Sequence, residues 1–347
     1  MLTEEKKELE FSKARDELVK LYHETVLKPI LPKSKVSSVS SMGTVGQPFG
    51  YAKIGIKPTN ESFKGSQYYY NKKTLQFIHY TSLENAINII REKSIRMYDL
   101  TAMNDPQEVL NSMSQLYPTS EDLINKAKKN AFILSMCEYE EELSGRSFDN
   151  WRVYGKDGFG VGIVLEFSKS TQDNWFNRYL GKVHYNIKSK KTLNDFINEH
   201  LNFKEKNHFN ISDPLNSFFL PIAGFHKDHI YSNEKEIRYL RTLTHMDWDK
   251  EKEVDFIKGK QVFYKQLKLD YSYSKKIKEL IKKPNFSLKE ATSLAHCIPE
   301  VKINSIILGY KYSNHEEHDI HNTIEILSKE KLGYYIPVKT TGLKKFF

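Results

Sequence analysis

Apolar and polar positions change along the chain in short blocks that predict interleaved strands and helices. The block "LQFIHYTS" predicts a strand, and "SLENAINIIREKS" predicts a helix, because apolar residues recur at helical spacing behind a Ser that can cap it. Further strands are predicted at "SIRMYDL", "AFILSMCE", "FGVGIVLEF", "KEIRYLRTL", "KGKQVFYKQLKL", "VKINSIILG" and "YYIPVKTT". The interval from about 170 to 230 is predicted to be helical and irregular, with "KTLNDFINEHLNF" as its clearest helix. Short strands mixed with scattered helices, without steady alternation, predict an α+β fold.

The N-terminal part of the chain has a different pattern. Residues 4–26 place apolar side chains on one side among many charges, which predicts an amphipathic helix. Residues 31–66 are rich in Ser, Gly and Pro and show little periodicity, which predicts a long connection. We therefore expect an N-terminal amphipathic helix over 1–30, a linker or arm over 31–70, and a folded domain over 71–347.

Composition places the chain among globular proteins. Of its 347 residues, 39% are hydrophobic and 13% are aromatic. Cys137 and Cys297 are too few for a disulfide framework, and neither stands at a zinc-binding spacing. No segment approaches the roughly 18 uncharged apolar residues that a membrane span needs, and the N-terminus does not read as a signal peptide. These features predict a cytoplasmic protein with no membrane partner.

The net charge of +9 leaves two interpretations open. An excess of Lys and Arg favours an acidic partner such as nucleic acid. It also fits a base-composition bias, because the abundant Lys, Asn, Ile, Tyr and Phe have A/T-rich codons. Residues 264–290 interleave aromatic residues with lysines, and either bind a phosphate backbone and stack on bases or form a solvated helix face over core aromatics. The nucleic-acid candidates in this stretch are Lys265, Tyr271, Tyr273, Lys275 and Lys276.

The stretch "NEKEIRYLR" at 233–241 places two carboxylates close together. In a strand, Glu234, Glu236 and Arg238 share one face, because side chains two positions apart align. One interpretation is a solvent-facing strand with a Glu–Arg pair worth about 0–1 kcal/mol. The other is a site in which the repulsion serves a chemical purpose. Lys227 and His229, just before this strand, either bear on a substrate or are surface residues.

Five short motifs occur in a fixed order and resemble those of a known family. They are "HYTS" at 79–82, "NDPQE" at 104–108, "DNWRVYGKDGFGVGIVLEF" at 149–167, "EKEIR" at 234–238 and "INSIILG" at 303–309. This set resembles a bacterial family of uncharacterised domains that is distantly related to the ADP-ribosyltransferases. The resemblance covers roughly residues 75–340. It implies an ADP-ribosyltransferase-like, split, mixed or antiparallel β core with surrounding helices over 71–347.

The resemblance also implies roles for individual residues, with NAD as co-substrate. It implies that His79 contacts the ribose of NAD, that Tyr154 or Trp151 stacks on the nicotinamide, and that Glu236 is catalytic with Glu234 beside it. The other residues assigned to NAD binding are Tyr80 and Thr81 next to the histidine, Ser135 on the "FILSM" strand, and Arg238, which can pair with a carboxylate or with the pyrophosphate. Asn104 and Asp105 are expected in a turn near the cleft.

The chemistry of NAD cleavage explains why two carboxylates would stand together. Breaking the nicotinamide–ribose bond passes through an oxocarbenium-like species, and a carboxylate beside that positive charge stabilises the transition state. Glu236 is expected to do this. Glu234 is expected to orient or deprotonate the acceptor.

Two functional hypotheses from different classes follow. The first is an NAD-dependent ADP-ribosyltransferase, a toxin or defence effector that modifies nucleic acid or protein, with NAD hydrolysis as a variant. The second is a non-catalytic, regulatory module that binds nucleic acid or protein, with the N-terminal helix docking a protein partner. A metal-dependent nuclease is a third and weaker hypothesis. The segment "HEEH" at 315–318 is one residue shorter than the zinc-protease signature, and we predict no metal site.

Overall fold

The structure is a computed structural model that describes residues 4–42, 51–56, 59–73, 75–102, 113–114, 121–139, 148–185, 193–208, 211, 218–243, 251–257, 259–283 and 286–346. Asn104 and Asp105 of the "NDPQE" turn lie outside these described residues. Among the helices of the described ranges, none is long and apolar enough to cross a membrane.

Short strands and helices follow one another along the described chain. The strands are β1 (Val36–Met42), β2 (Tyr51–Ile56), β3 (Gln76–Thr81), β4 (Ser94–Asp99), β5 (Ala131–Glu138), β6 (Val161–Phe167), β7 (Arg178–Lys182), β8 (His184–Tyr185), β9 (His226–Lys227), β10 (Glu236–Thr242), β11 (Glu253–Ile257), β12 (Lys260–Lys268), β13 (Val301–Leu308) and β14 (Val338–Thr340). The α-helices are α1 (Glu4–Tyr22), α2 (Leu83–Glu92), α3 (Glu121–Lys128), α4 (Phe148–Val153), α5 (Leu193–Asn207), α6 (Leu220–Ala223), α7 (Tyr273–Leu280), α8 (Leu288–His296) and α9 (Asn314–Leu332).

Local sequence signals fix the ends of two helices that pack on the main sheet, α2 and α9. Helix α2 begins after Ser82, whose hydroxyl accepts a backbone N–H of the first turn, and ends at Lys93 in the left-handed region. Helix α9 begins with a capping box between Ser313 and Glu316 and ends at Gly333, where φ is +86°. The predicted start of α2 behind its Ser cap therefore has a physical cause in the structure.

Ten strands form one mixed sheet, and the α+β fold predicted from the sequence is confirmed. Their order is β11-β12-β4-β5-β3-β6-β13-β14, and β10 joins β5 to β7. Strands β13 and β14 run parallel. The other pairs in this sheet are antiparallel.

Strand β5 is the point at which this sheet splits. Along one edge it pairs with β10 over seven residues, from Cys137 opposite Glu236 to Ala131 opposite Thr242. Along the other edge, β3 pairs only with Cys137 and Glu138, the last two residues of β5. Strand β4 pairs only with Phe132 and Ile133. Neither β3 nor β4 pairs with residues 134–136, which lie between these two contacts. The divergence of β3 from β4 therefore leaves a gap over the middle of β5.

Apolar side chains of the sheet pack on both of its faces. Consecutive residues such as Tyr239 and Leu240 belong to different hydrophobic clusters, because strand side chains alternate between faces. One cluster packs the sheet against α2 and α9. The other contains Tyr22 of α1 and Phe203 of α5, and the Tyr22 hydroxyl lies 2.8 Å from Nδ1 of His200. Helix α1 thus contributes to the core.

Two intervals contain more strand than their sequence patterns predict. The segment 31–70, expected as a linker or arm, contains β1 and β2, which pair with each other antiparallel. The interval 170–230 contains β7, β8 and β9 besides its helices, so the expectation of helical and irregular structure was wrong for these strands. Strand β7 is only five residues long, and its partner β10 is distant in sequence. Local periodicity therefore carried little signal for it.

Candidate functional site

A cavity of about 380 Å³ lies in the gap where β3 and β4 diverge along β5, and we call it the cleft. Residues 133–137 of β5 form its floor, the end of β3 and part of β4 form its walls, and the start of β10 adjoins the floor. The residues singled out from the sequence that line the cleft are His79, Tyr80, Thr81, Ser135, Tyr154, Lys227, Glu234, Glu236 and Arg238. The fold thus gathers residues from five separate segments of the chain into one cavity.

Strand β10 positions the Glu236–Arg238 pair at the edge of this floor. The two side chains lie two residues apart on one face, and Arg238 donates from Nε to Oε1 of Glu236 at 2.8 Å and from Nη2 to Oε2 at 3.1 Å. Nη1 of Arg238 also donates to the carbonyl oxygen of Gly224 at 2.7 Å. Glu236 is 6% exposed and Arg238 is 1% exposed. The hydrogen bonds of Arg238 therefore go to the Glu236 carboxylate and to the carbonyl oxygen of Gly224.

Glu234 reaches the cleft from a different element than predicted. Strand β10 begins at Glu236, and Glu234 ends a 3₁₀ turn that starts at His229. Lys235 between them has a φ of +47°, which interrupts the extended backbone. The expectation that Glu234, Glu236 and Arg238 share one strand face was therefore wrong for Glu234. Its carboxylate still lines the cleft.

Lys227 links the two carboxylates. Its Nζ donates to Oε2 of Glu234 and lies 3.3 Å from Oε2 of Glu236. The second oxygen of Glu234 accepts the hydroxyl of Tyr154 at 2.6 Å. Lys227 is 7% exposed, belongs to β9, which pairs in parallel with β8, and lines the cleft. The result is a continuous chain of charge-assisted hydrogen bonds from Tyr154 to Arg238.

This chain of contacts sets the ionisation of Glu236. Burial raises the pKa of a carboxyl, but here it is outweighed by the charge and hydrogen bonds of Arg238, then by Lys227, and then by a hydrogen bond from Ser135. The pKa of Glu236 falls to about 2. Burial, followed by the bond to Glu234, raises the pKa of Tyr154. Near pH 7 the cleft therefore holds an ionised Glu236 and a neutral tyrosine hydroxyl.

His79 fills part of the gap that the strands leave open. Its Nδ1 lies 3.0 Å from the carbonyl oxygen of Ser135, which belongs to the stretch of β5 that pairs with neither β3 nor β4. A carbonyl only accepts, so Nδ1 carries the proton and Nε2 is the acceptor of the neutral ring. Burial lowers the pKa of His79, which favours the neutral form. His79 is therefore suited to accept a hydrogen bond from a ligand hydroxyl.

The aromatic candidates divide into a lining residue and a supporting one. Tyr154 lines the cleft, whereas Trp151 is 0% exposed and packs edge-on against Tyr80 at 5.0 Å between ring centroids. A side chain at Gly155 would place its Cβ 2.6 Å from the Trp151 ring, so the turn after α4 needs glycine there. Thr81 accepts the side-chain amide of Asn85 at 3.2 Å. Of the two aromatic alternatives, Tyr154 is the one that can meet a ligand in the cleft.

The nucleic-acid candidates lie away from the cleft, and most of their polar atoms are engaged internally. Lys276 is 1% exposed, its Nζ donates to the carbonyl oxygen of Ile298, and Lys265 is 7% exposed with its Nζ on a backbone carbonyl. The hydroxyls of Tyr271 and Tyr273 bond to the Glu279 carboxylate and to a backbone carbonyl. Lys275 is exposed. A phosphate backbone would therefore meet only one of these three lysines.

Several residues of the cleft were not identified from the sequence. Cys137 stands two residues after Ser135 on β5, so the strand period alone would have placed it on the same face. Burial, followed by the charges of the two glutamates, raises the pKa of its thiol to about 12, which makes it a poor nucleophile near neutrality. The Tyr185 hydroxyl accepts the backbone N–H of Glu236 at 2.9 Å. Tyr185 lies far from Glu236 in sequence, and no local pattern marks it.

A larger cavity of about 630 Å³ lies elsewhere and contains Tyr271 as its only lining residue from the sequence candidates. Its acidic lining residues each have a partner. Glu166 accepts from the side chains of Gln76 and Asn304 at 2.9 Å each and pairs with Lys302, Asp270 accepts the hydroxyl of Tyr334 at 3.1 Å, and Glu300 lies 3.6 Å from the ammonium of Lys276. Within the described ranges, no group of three His, Cys, Asp or Glu side chains could hold a metal ion. The chemistry-bearing residues are thus concentrated in the smaller cavity.

Comparison with known proteins gives one match. A family model described as a protein of unknown function, DUF2971, matches residues 150–239. No curated protein and no solved structure matches the chain. The matched range contains Trp151, Tyr154, Lys227 and both glutamates, whereas β3 and β5 lie outside it. A resemblance to a family of unknown function is therefore shown over residues 150–239, whereas the five motifs as its signature and the relation to ADP-ribosyltransferases stay predictions.

Proposed function

We propose that this protein is an NAD-dependent ADP-ribosyltransferase that uses the cleft as its active site. The observation that carries the proposal is the convergence of His79, Tyr154, Glu234 and Glu236 on one cavity at a split in the sheet. They come from three segments far apart in the sequence, one with His79, one with Tyr154 and one with both glutamates. Their convergence favours a site over an incidental surface ion pair, because ligand sites are concave and have a few polar groups that meet in one place.

The cleft supplies the groups that cleavage of NAD requires. The bond between the ribose C1′ and the nicotinamide nitrogen breaks, and its electron pair leaves with nicotinamide. Positive charge then develops on the ribose, and the ionised Glu236 would stabilise it. The acceptor bonds to C1′ as it loses a proton to Glu234. The neutral ring of His79 would accept a ribose hydroxyl, and Tyr154 would contact the nicotinamide ring.

The size of the cleft fits part of the dinucleotide. Its volume of about 380 Å³ lies near the lower end of the range of roughly 300–1,000 Å³ for ligand pockets. We therefore place the nicotinamide riboside half of NAD over β5. Water in place of a macromolecular acceptor would give NAD hydrolysis by the same residues. We propose a macromolecular acceptor, nucleic acid or protein, as expected of a toxin or defence effector.

One observation favours the second hypothesis, a non-catalytic binding module. Both oxygens of Glu236 already accept from Arg238, and Lys227 lies beside one of them. A carboxylate with two cationic partners has less negative charge to offer to a developing cation. A ligand could then be held in the cleft without reaction.

The experiment that tests the proposal is incubation of the purified protein with labelled NAD and, in separate reactions, DNA, RNA and a cell extract. Free nicotinamide and label on macromolecules are scored together. The test variant is Glu236→Gln, and the matched control is Glu166→Gln, which changes a paired carboxylate outside the cleft. Circular dichroism checks that each variant folds.

The outcomes separate the hypotheses. Label transfer that is lost in Glu236→Gln and retained in Glu166→Gln supports the transferase, and the labelled fraction identifies the acceptor class. Nicotinamide release without transfer indicates the hydrolase variant. Binding of NAD without either product supports the binding module. Absence of binding and of both products contradicts the use of NAD.

A further inference from the structure

We infer that Lys227 is a positioning residue that keeps Glu234 and Glu236 ionised together at the cleft, an inference whose kinetic part rests on the proposed function. Lys227 contributes one ammonium group to two carboxylates, with its Nζ bonded to Oε2 of Glu234 and 3.3 Å from Oε2 of Glu236. It also lies over the ring of Tyr231, 4.6 Å from the ring centroid. Its side chain is 9% exposed, so little water screens these contacts.

The charges around the pair balance only when Lys227 is present. Two carboxylates face two cations, Lys227 and Arg238, and Arg238 contacts Glu236 through both oxygens. Glu234 has the neutral hydroxyl of Tyr154 as its other side-chain partner. Without Lys227, two neighbouring carboxylates would share one cation. One carboxylate would then bind a proton more readily, since like charges at close range disfavour the doubly ionised state.

The other ionisable groups near the pair or along the same cleft do not supply the missing charge. Arg96, a third cation that lines the cleft, pairs with Asp255 at 3.0 Å, and burial lowers the pKa of His79, which favours its neutral ring. Burial raises the pKa of Tyr154 and of Tyr185, and it raises the pKa of Cys137 to about 12. His226, the neighbour of Lys227 in β9, is buried and has its pKa lowered to about 3 by burial, so its ring stays neutral near pH 7. Tyr231 lies within the 3₁₀ turn His229–Glu234, and Asp228 caps this turn by accepting the backbone N–H of Ile230. Lys227 is thus the group that balances the second carboxylate.

Lys227 affects the proposed reaction through the ionisation of the two carboxylates and not through contact with the substrate. A proton on either carboxylate would abolish its part in the proposed reaction, because a neutral Glu236 stabilises no cation and a protonated Glu234 accepts no proton. Lys227 therefore sets the lower pH limit of activity. Its loss should reduce kcat at low pH with little change in KM for NAD, because it acts through the carboxylates.

The experiment compares the protein with Lys227→Met, using ¹³C label at the glutamate carboxyl carbons and an NMR titration. In the variant we expect one carboxylate of the pair to titrate at a pH higher by about 1–3 units. The double variant Lys227→Met/Glu234→Gln should return the remaining carboxylate towards its original titration, because the like-charge partner is gone. Lys227→Arg, which keeps the charge, should stay close to the parent protein.

The matched control is Lys276→Met, which removes another buried lysine whose ammonium lies 3.6 Å from Glu300 and outside the cleft. It should lose comparable stability and leave the titration of the pair unchanged. No upward titration in Lys227→Met, or an equal change in Lys276→Met, would overturn the inference. The titration needs no catalysis, so a protein inactive towards NAD that still shows the change keeps the inference and loses the proposed function. In an active protein, the acid limb of the kcat profile should move together with the NMR titration.

Discussion

The ionisation of Glu236 should make the protein lose stability on acidification in a specific pH range. The folded-state pKa of Glu236 falls from its ordinary value of 4.5 to about 2. A carboxyl with a depressed folded pKa contributes stability that is fully present above the unfolded pKa. That contribution disappears as the pH falls through the folded pKa. We therefore expect it to be lost between about pH 5 and pH 2.

The size of this contribution follows from the same values. A pKa unit corresponds to about 1.36 kcal/mol, so the depression of Glu236 corresponds to about 3 kcal/mol in the free energy of unfolding. Replacing Glu236 by Gln also leaves Arg238, which is 1% exposed, without its counter-charge. Breaking a buried pair in this way costs about 3–5 kcal/mol at neutral pH. The value of about 3 kcal/mol from the pKa of Glu236 and the cost of about 3–5 kcal/mol for breaking the buried pair agree in magnitude.

The assay is urea unfolding at several pH values between 7 and 2.5, followed by the fluorescence of the buried residues Trp151 and Trp175. At pH 7, Glu236→Gln should be less stable by about 3–5 kcal/mol. The difference should shrink by about 3 kcal/mol as the pH approaches 2, because the parent protein then loses the ionised carboxylate. A difference that stays constant over the whole range would refute the assigned ionisation. Glu166→Gln serves as the control, since its partly exposed ion pair should give a smaller effect.

Two further substitutions test the support of the cleft. Tyr154→Phe removes the hydroxyl that Glu234 accepts at 2.6 Å, and a hydrogen bond to a charged group is worth about 1.5–3 kcal/mol, so urea unfolding should show a loss of that order. An unchanged stability would mean that the bond makes no net contribution. Gly155→Ala should lower the melting temperature, because the new Cβ would lie 2.6 Å from the Trp151 ring and 2.8 Å from its carbonyl oxygen, whereas Gly342→Ala, with nothing within 4 Å, should not. Equal melting temperatures for the two variants would contradict the close packing at Gly155.

The sequence predicts the strands of the main sheet better than it predicts the cleft. Strands β3, β5 and β6 carry apolar blocks of their own, so their positions are visible in the local pattern. The gap between β3 and β4 depends on which strand pairs with which part of β5, and this pairing joins residues far apart in sequence. No local periodicity contains that information. The cavity was therefore expected only through the resemblance.

Local sequence patterns also explain which individual site residues were placed correctly and which were not. Glu236 and Arg238 lie within one regular strand, so a period of two places both correctly. Glu234 precedes Lys235, whose backbone lies in the left-handed region. The sequence does not predict this conformation for a non-glycine residue. Lys227 lies in a two-residue strand whose partner, β8, is more than forty positions away. Its contact with both carboxylates follows from that pairing.

The position of the carboxylate pair argues against a purely structural role for it. A structural ion pair in the interior is favoured only when hydrogen bonds offset the desolvation of both charges, and apolar residues of similar volume often serve as well. Glu236 meets the first condition through Arg238, yet Ser135, which lies opposite Arg238 on β5, is exposed on the floor of an open cavity. The chain thus buries one acid, half-buries a second, balances them with two bases, and leaves an accessible space beside them. A group that only stabilised the fold would not require that space, whereas a group that acts on a ligand does.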